Sequence, residues 1–422
     1  MIVWSQGRFL LFCYKLDFMG DSTNDIPMPP ALPTSATELA ELVTIANKTR
    51  FSTGEASPTP LIVAGNSSKL DWGGIVIGAK SLVSTQKLDR LIAHAVGDLT
   101  ITVEAGMKFA KLQEILANAG QFLPLDPVYP DRATIGGIIA TANTGSLRHR
   151  YGGVRDLLLG ISFVRADGKI AKAGGRVVKN VAGYDMMKLF TGSYGTLGIL
   201  TEVTLRVYPL PANSGTVILT GAVEGLRNAA KILLASTLTP IAVDVLSTAF
   251  SQHLEISNTP SLVVKFATIP ASITQQSEQL LAIGKGLGLK GGIWQGTQAE
   301  QLWSSIQTGI WGEAPIGCKL GVRSTAAVDT IELLDRLSAN TAKGVIHLSS
   351  GIGVYALSDS SNIKPLRTNC EANGGFLSVL QAPVEIKRQI DVWGYRGNAV
   401  PLMRQIKQQF DPGGMLNPGR CF

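Results

Sequence analysis

Cysteine is scarce and scattered. The 422 residues hold four, Cys13, Cys318, Cys370 and Cys421, none at the spacing of a metal-ligand or redox pair. That excludes an iron–sulfur cluster held by this chain alone and fits the reduced thiols of a cytosolic protein. Histidine is as sparse: His94, His149, His253 and His347 each lack a second histidine at ligand spacing, so no bound metal is expected. Charged residues make up only 16% against 45% hydrophobic, too apolar a balance for a disordered chain. No uninterrupted apolar run reaches the ~18 residues of a membrane span. The apolar Phe9–Tyr14 stretch is broken by Lys15 and Asp17 and no small-residue cleavage site follows, so a signal peptide is not expected. Met19, ahead of Pro27, Pro29, Pro30 and Pro33, offers a second start, which would make residues 1–18 an upstream extension. The chain reads as a soluble globular protein, cytoplasmic and at most peripheral to a membrane through partners.

Glycine is what the chain has in excess, 46 residues, and lysine plus arginine exceed aspartate plus glutamate by 38 to 31. A basic balance favours anionic partners such as phosphorylated cofactors or small acids. Nucleic acid is a weaker reading, because the densest basic cluster, Arg148-His149-Arg150, is only three residues long and has no interleaved aromatics.

Residues 1–34 are expected to form a poorly ordered extension. From 35 the pattern is mixed helix and strand. Helical spacing over 36–50 leads into an apolar run at Leu61-Ile62-Val63, Ile75-Val76-Ile77 and Leu99–Val103 read as strands, the second alternating as a half-buried strand does, and 109–119 is helical again. His94 falls on a predicted helix. Thirteen glycines lie between Thr134 and Pro211, many in small groups separated by short apolar strands, from Ile135-Gly136-Gly137 to Thr196-Leu197-Gly198-Ile199, so the backbone there must turn tightly or approach something closely. Residues 212–398 read as two similar halves: strands at 217–219, 241–245 and 262–266 with helices 224–235 and 273–286, then strands at 318–322, 345–355 and 376–380 with a helix over 326–339. That layout predicts an antiparallel sheet backed by helices. Residues 399–422, a short helix and a turn-rich tail, are too few to fold alone and should return to the first domain, 35–211.

Gly65-Asn66-Ser67-Ser68 follows the Leu61–Val63 strand directly, where small residues leave backbone N–H groups free to face a phosphate; a plain strand-to-loop turn is the alternative. It is not G-x-G-x-x-G, which disfavours a nicotinamide site of the Rossmann type. Leu123-Pro124-Leu125-Asp126-Pro127, Thr134–Asn143, Lys179–Asp185 and Gly192–Ile199 add rigid turns and glycines suited to a flat cofactor, with Glu202 closing the region.

These blocks, with Ala64–Gly73, Tyr151–Asp156 and the tail Asp411-Pro412 to Asn417-Pro418-Gly419-Arg420, resemble in order the FAD-binding domain of the vanillyl-alcohol-oxidase/PCMH flavoprotein family, and within it the FAD-binding subunits of glycolate oxidase complexes. The resemblance implies an α+β fold: a PCMH-type FAD-binding domain of two α/β subdomains, with an α+β cap built on an antiparallel sheet. It implies that Gly65, Asn66, Ser67 and Ser68 take the FAD pyrophosphate. Leu125, Asp126, Thr134, Gly136, Gly137 and Asn143 would line the flavin and ribityl chain, and Gly192, Ser193, Gly195, Thr196, Gly198 and Ile199 would hold the adenosine half. Relatives that attach flavin covalently do so through a histidine in the loop held here by Asn66, Ser67 and Ser68, so FAD should be bound non-covalently, with His149 the first alternative anchor. The metal-binding histidine pair of some relatives is missing around His347. Oxidation of a 2-hydroxy acid needs a cation for the carboxylate and a base for the hydroxyl proton. Lys319, Arg323 and His347 are the candidates, each with an ordinary alternative as a solvated cation or core histidine. Where some relatives place an arginine after a Leu-Trp pair, Leu302-Trp303 is followed by Gln307. The implied function is the FAD-binding subunit of a complex that oxidises glycolate to glyoxylate, with a catalytic flavoprotein subunit and an iron–sulfur subunit as partners. The alternatives are a self-sufficient FAD-dependent 2-hydroxyacid dehydrogenase and a flavoprotein whose FAD is structural.

Overall fold

The computed structural model describes residues 30–48, 58–79, 81–175, 184–312, 314–395 and 397–421. Cys13 and most of the Lys179–Asp185 run lie outside them. In the first part of the chain the strands are β1 (Leu61–Ala64), β2 (Ser81–Ser84), β3 (Leu91–Ala95), β4 (Thr100–Glu104), β5 (Gln121–Phe122), β6 (Leu158–Val164), β7 (Ile170–Gly174), β8 (Ile199–Arg206) and β9 (Tyr208–Pro209). β1 and β2 pair in parallel. β3-β4-β8-β6-β7 form, in that spatial order, an antiparallel sheet. Its core is made by Ile101, Val103, Phe163, Val203 and Leu205 with Leu112 and Leu116 of helix Phe109–Ala117 and Ile135, Ile138 and Ile139 of helix Ile135–Ala140. A second cluster joins Leu39 and Val43 of helix Ala36–Lys48 to Leu61, Val164, Ile199, Met415 and Leu416, so the tail packs on the strand that opens the domain.

Three sequence expectations need correction here. Ile75–Ile77 is not a strand: Gly73 and Gly78, at φ +83° and +69°, isolate it, and its main chain is taken by the tail, Ile77 N–H donating to Pro418 O at 2.9 Å. β4 is buried along its whole length rather than on alternate residues, because its polar face is covered as well and Thr102 bonds Thr204 across the sheet at 3.0 Å. His94 sits on β3, not on a helix, with Nε2 2.9 Å from Gln121 Oε1. Ile135–Ala140, read from the sequence only as an apolar segment opened by a glycine pair, is a short helix whose first turn Thr134 caps by accepting from Gly137 N–H.

The second part holds β10 (Gly215–Thr220), β11 (Ala242–Leu246), β12 (Ser261–Phe266), β13 (Lys290–Gln295), β14 (Ile316–Gly321), β15 (Lys343–His347), β16 (Ile352–Leu357) and β17 (Phe376–Gln381). They form one antiparallel sheet in the order β13-β10-β12-β11-β15-β16-β14-β17. Each half follows strand–helix–strand–strand–helix–strand, with helices Val223–Ala235 and Pro270–Gly286 in the first and Ala327–Leu337 and Ile363–Ala372 in the second. The two orders mirror each other about the β11–β15 pair, where Asp244 lies opposite His347. The apolar stretch 345–355 is thus not one strand but a hairpin, turned by Ser349-Ser350-Gly351 with Gly351 at φ +64°. Among the described residues no helix is long and apolar enough to cross a membrane.

Candidate functional site

A cleft runs between the loop after β1, helix Ile135–Ala140 and the loop before β8. Gly65, Asn66, Ser67 and Ser68 form one wall; Thr134, Gly136 and Gly137 form the second; Ser193, Gly195, Gly198 and Ile199 form the third. The walls fit tightly against each other. A Cβ on Gly65 would stand 2.1 Å from Thr134 Oγ1, so glycine there lets the loop close on the helix, and one on Gly136 would stand 2.9 Å from the Ala105 Cβ, so glycine there lets the helix close on the residue after β4. Ser67, Tyr194 and Asn417 all line the cleft with left-handed backbones, at φ 53°, 52° and 45°. Such strain, gathered at one place in non-glycine residues, marks a ligand site more often than a structural accident.

The donors in this cleft are unspent. None of the backbone N–H groups of Asn66, Ser67, Ser68 and Lys69 has a partner among the described residues. The Trp72 indole Nε1 is buried without one. Lys69 is itself 8% exposed, and among the described residues the one hydrogen bond of its ammonium is to Ser68 Oγ, at 3.5 Å. Burial, with the Arg132 charge beside it, lowers the Lys69 pKa to about 7. Consecutive free N–H groups and a buried cation make a cradle for a diphosphate. The tail closes the cleft: Asn417 accepts from Val63 N–H and donates to Tyr194 O, each at 2.8 Å, and Arg420 donates to Trp72 O at 2.7 Å.

A second polar group lies where the first domain meets the cap. His347 Nδ1 is 2.7 Å from Asp244 Oδ1, and Ser146 donates to the other oxygen of Asp244. Asp126 accepts from the Gly145 and Leu147 N–H groups at 2.8 and 2.9 Å, which fixes the loop carrying Ser146; burial pushes its carboxyl upward. Burial alone would depress His347, but the charge of Asp244 and its hydrogen bond outweigh it and the pKa is raised. Lys319 donates to Ala142 O at 3.2 Å, and burial next to Arg148 lowers it to about 8. Ala142 directly follows Ala140 and Thr141, which line the cleft, so the two groups are one turn of chain apart.

Of the residues singled out from sequence, eleven of the sixteen cofactor positions line this cleft. Leu125, Asp126 and Asn143 lie behind it, Asn143 Oδ1 holding Val128 N–H at 2.9 Å. Gly192 and Thr196 face a separate apolar cavity formed with Ile406, Met403 and Trp393. Lys319 and His347 belong to the cluster at the cap, whereas Arg323 is exposed at the far end of β14, beside Gly374. His149 does not line the cleft, and burial lowers its pKa. Sequence reasoning missed Lys69, Trp72, Asp244 and Ser146. Asp244 had a signal, a lone carboxylate inside an apolar strand; Lys69 had none beyond its place after Ser68.

A family model described as an FAD binding domain matches residues 30–174. The chain is 30% identical over 376 residues to the glycolate oxidase subunit GlcE of Escherichia coli, covering 86% of this chain and 93% of that one. It is also 30% identical over 432 residues to the glycolate oxidase subunit GlcD of Bacillus subtilis, covering 94% and 89%. The structure of 4-ethylphenol oxidase from Gulosibacter chungangensis superposes on 92% of this chain and 88% of that one with a TM-score of 0.69 at 16% identity, which establishes the vanillyl-alcohol-oxidase/PCMH fold. The cradle of free N–H groups suits the diphosphate of FAD, and the chain belongs to the FAD-dependent oxidoreductase family that contains the GlcE and GlcD glycolate oxidase subunits, with FAD as its cofactor.

Proposed function

We propose that this chain is the FAD-carrying subunit of a complex that oxidises glycolate or a closely related 2-hydroxy acid, passing electrons through a second flavoprotein subunit and an iron–sulfur subunit. The observation that carries this reading is a base and two cations set one turn of chain from the FAD cleft. When bound, FAD supplies the acceptor for the hydride leaving the substrate carbon. Gly65–Ser68 would hold its diphosphate, helix Ile135–Ala140 its ribityl side and Ser193–Ile199 its adenosine side. Asp244 fixes the His347 ring through Nδ1 and leaves Nε2 without a protein partner among the described residues, so that atom is the one to receive the hydroxyl proton. The charge of Asp244 makes the imidazole a stronger base than a free histidine. Lys319 and Arg148 supply the positive charge that a carboxylate needs.

A second reading is favoured by how closed this group is. Asp244 is 0% and His347 6% exposed, and Ser146 and Lys319 already have partners. In that reading the acid binds on the partner flavoprotein and this chain's FAD only carries electrons. Anaerobic mixing of the FAD-loaded chain with glycolate, followed by the flavin's visible absorbance, separates the two. Bleaching in a single turnover, slowed about 100-fold or more in His347→Gln, supports the first. A flavin that stays oxidised until the partner flavoprotein is added supports the second.

A further inference from the structure

The described anions of the cleft do not balance Lys69. The causes acting on its ammonium are burial and the like charge of Arg132; no carboxylate contributes. The groups around it are the Ser68 hydroxyl, the Trp72 ring at 5.9 Å, Arg132 over the face of Tyr129, and Arg420 held on Trp72 O. Asp71, on the same loop, is exposed and acts on Tyr129, Lys387 and Arg420. A nine-tenths-buried ammonium without a counter-charge is costly to keep. Its neighbour in the same wall, Trp72 Nε1, is a second buried donor with nothing to bond. Both line the cleft directly behind the four unpartnered N–H groups.

We propose that Lys69 is the counter-charge of the FAD diphosphate, and that FAD binding draws a proton onto it. This rests on FAD lying in the cleft. An empty cleft leaves the lysine poised to lose its proton near neutral pH, and two phosphate charges within reach hold that proton on. By linkage, affinity is highest below pH 7 and falls as pH rises from there to the raised pKa of the complex.

The test uses full-length protein stripped of flavin, titrated calorimetrically with FAD at pH 8 in buffers of different ionisation enthalpy, with ADP as a competitor that carries the diphosphate but no flavin. The wild type should take up close to one proton per FAD, and Lys69→Met none, with FAD and ADP both bound at least tenfold more weakly. Lys69→Arg should keep the affinity without the proton uptake, which covers the case of a methionine variant that does not fold. Equal proton uptake in wild type and Lys69→Arg overturns the proposal. So does a Lys69→Met protein that binds ADP normally but shows a shifted flavin reduction potential, since the charge would then face the ring. If ADP fails to displace FAD, the cleft itself is misassigned; if ADP competes equally with wild type and Lys69→Met, only the role of Lys69 fails.

Discussion

Asp244 is fully buried and is the acceptor for both Ser146 and His347. Replacing it by alanine leaves two buried donors unsatisfied, and we predict a loss of about 3–5 kcal/mol in urea unfolding at neutral pH. Asp244→Asn should lose less, and its deficit should depend on pH in one direction. The folded pKa of His347 lies above the ordinary 6.5; the stabilisation this gives is complete below that value and is lost as pH rises through the folded pKa. The gap between wild type and Asp244→Asn should therefore narrow on going alkaline, and a gap that widens would contradict the assignment. Lys319 has the opposite sign. Its pKa falls from 10.5 to about 8, so the folded protein pays for a buried charge below pH 8, and Lys319→Met should be more stable than wild type at pH 7 by about 1–3 kcal/mol. That advantage should vanish between pH 8 and 10.5, as measured by unfolding midpoints. At this scale the sequence was readable where chemistry is local: Gly65–Ser68 after an apolar run needs only its neighbours to be recognised. Asp244 and His347 are 103 positions apart, and nothing short of the β11–β15 pairing places them together.

Among the elements, the tail does most with fewest residues. Leu416 forms a parallel bridge to Leu61, Met415 O accepts from Leu61 N–H, and Asn417 ties β1 to the loop at Tyr194. Lys407, on helix Val400–Phe410, donates to Asp411, Thr196 O and Leu416 O, which anchors the helix to the cleft from behind. We predict that Asn417→Ala costs about 2–3 kcal/mol, from three bonds lost and a left-handed alanine at φ 45°, and weakens FAD binding at least tenfold. A chain ending at Asn398 should not retain FAD; undiminished binding by flavin fluorescence would show that the tail is dispensable. Most helices and buried strands were legible because their apolar spacing is regular. β13 was not, since Lys290-Gly291-Gly292 offers no alternation, yet those glycines have a reason: a Cβ on Gly291 would meet Leu281 at 2.7 Å and Leu219 at 2.8 Å. Helix Ile135–Ala140 was not legible as a helix because two glycines in six residues weaken the helical pattern, whereas the Thr134 cap and packing against β8 decide for it.

At the level of the molecule, a flavin-binding domain and a mirror-ordered cap meet along the turn that links the cleft to the Asp244–His347 pair. The loop proposed to take the diphosphate, Gly65–Ser68, has no imidazole or thiol, and His149 does not line the cleft, so acid precipitation should release the yellow colour wholly into the supernatant; colour in the washed pellet would point to His149. The cleft is the central claim. Gly137 tests it most cleanly, because beyond its own helix the one atom within 4 Å of a Cβ there, among the described residues, is Thr134 Oγ1 at 3.1 Å, so a side chain at this position enters the cleft beside the Thr134 cap. The decisive measurement is the FAD content and FAD titration of Gly137→Val beside wild type, with the unfolding midpoint of each flavin-free protein as the control. The account predicts one releasable FAD per wild-type chain and, in the variant, a loss of about 100-fold or more in affinity with an unchanged midpoint. A folded variant that binds FAD as tightly as wild type would place the cofactor somewhere else.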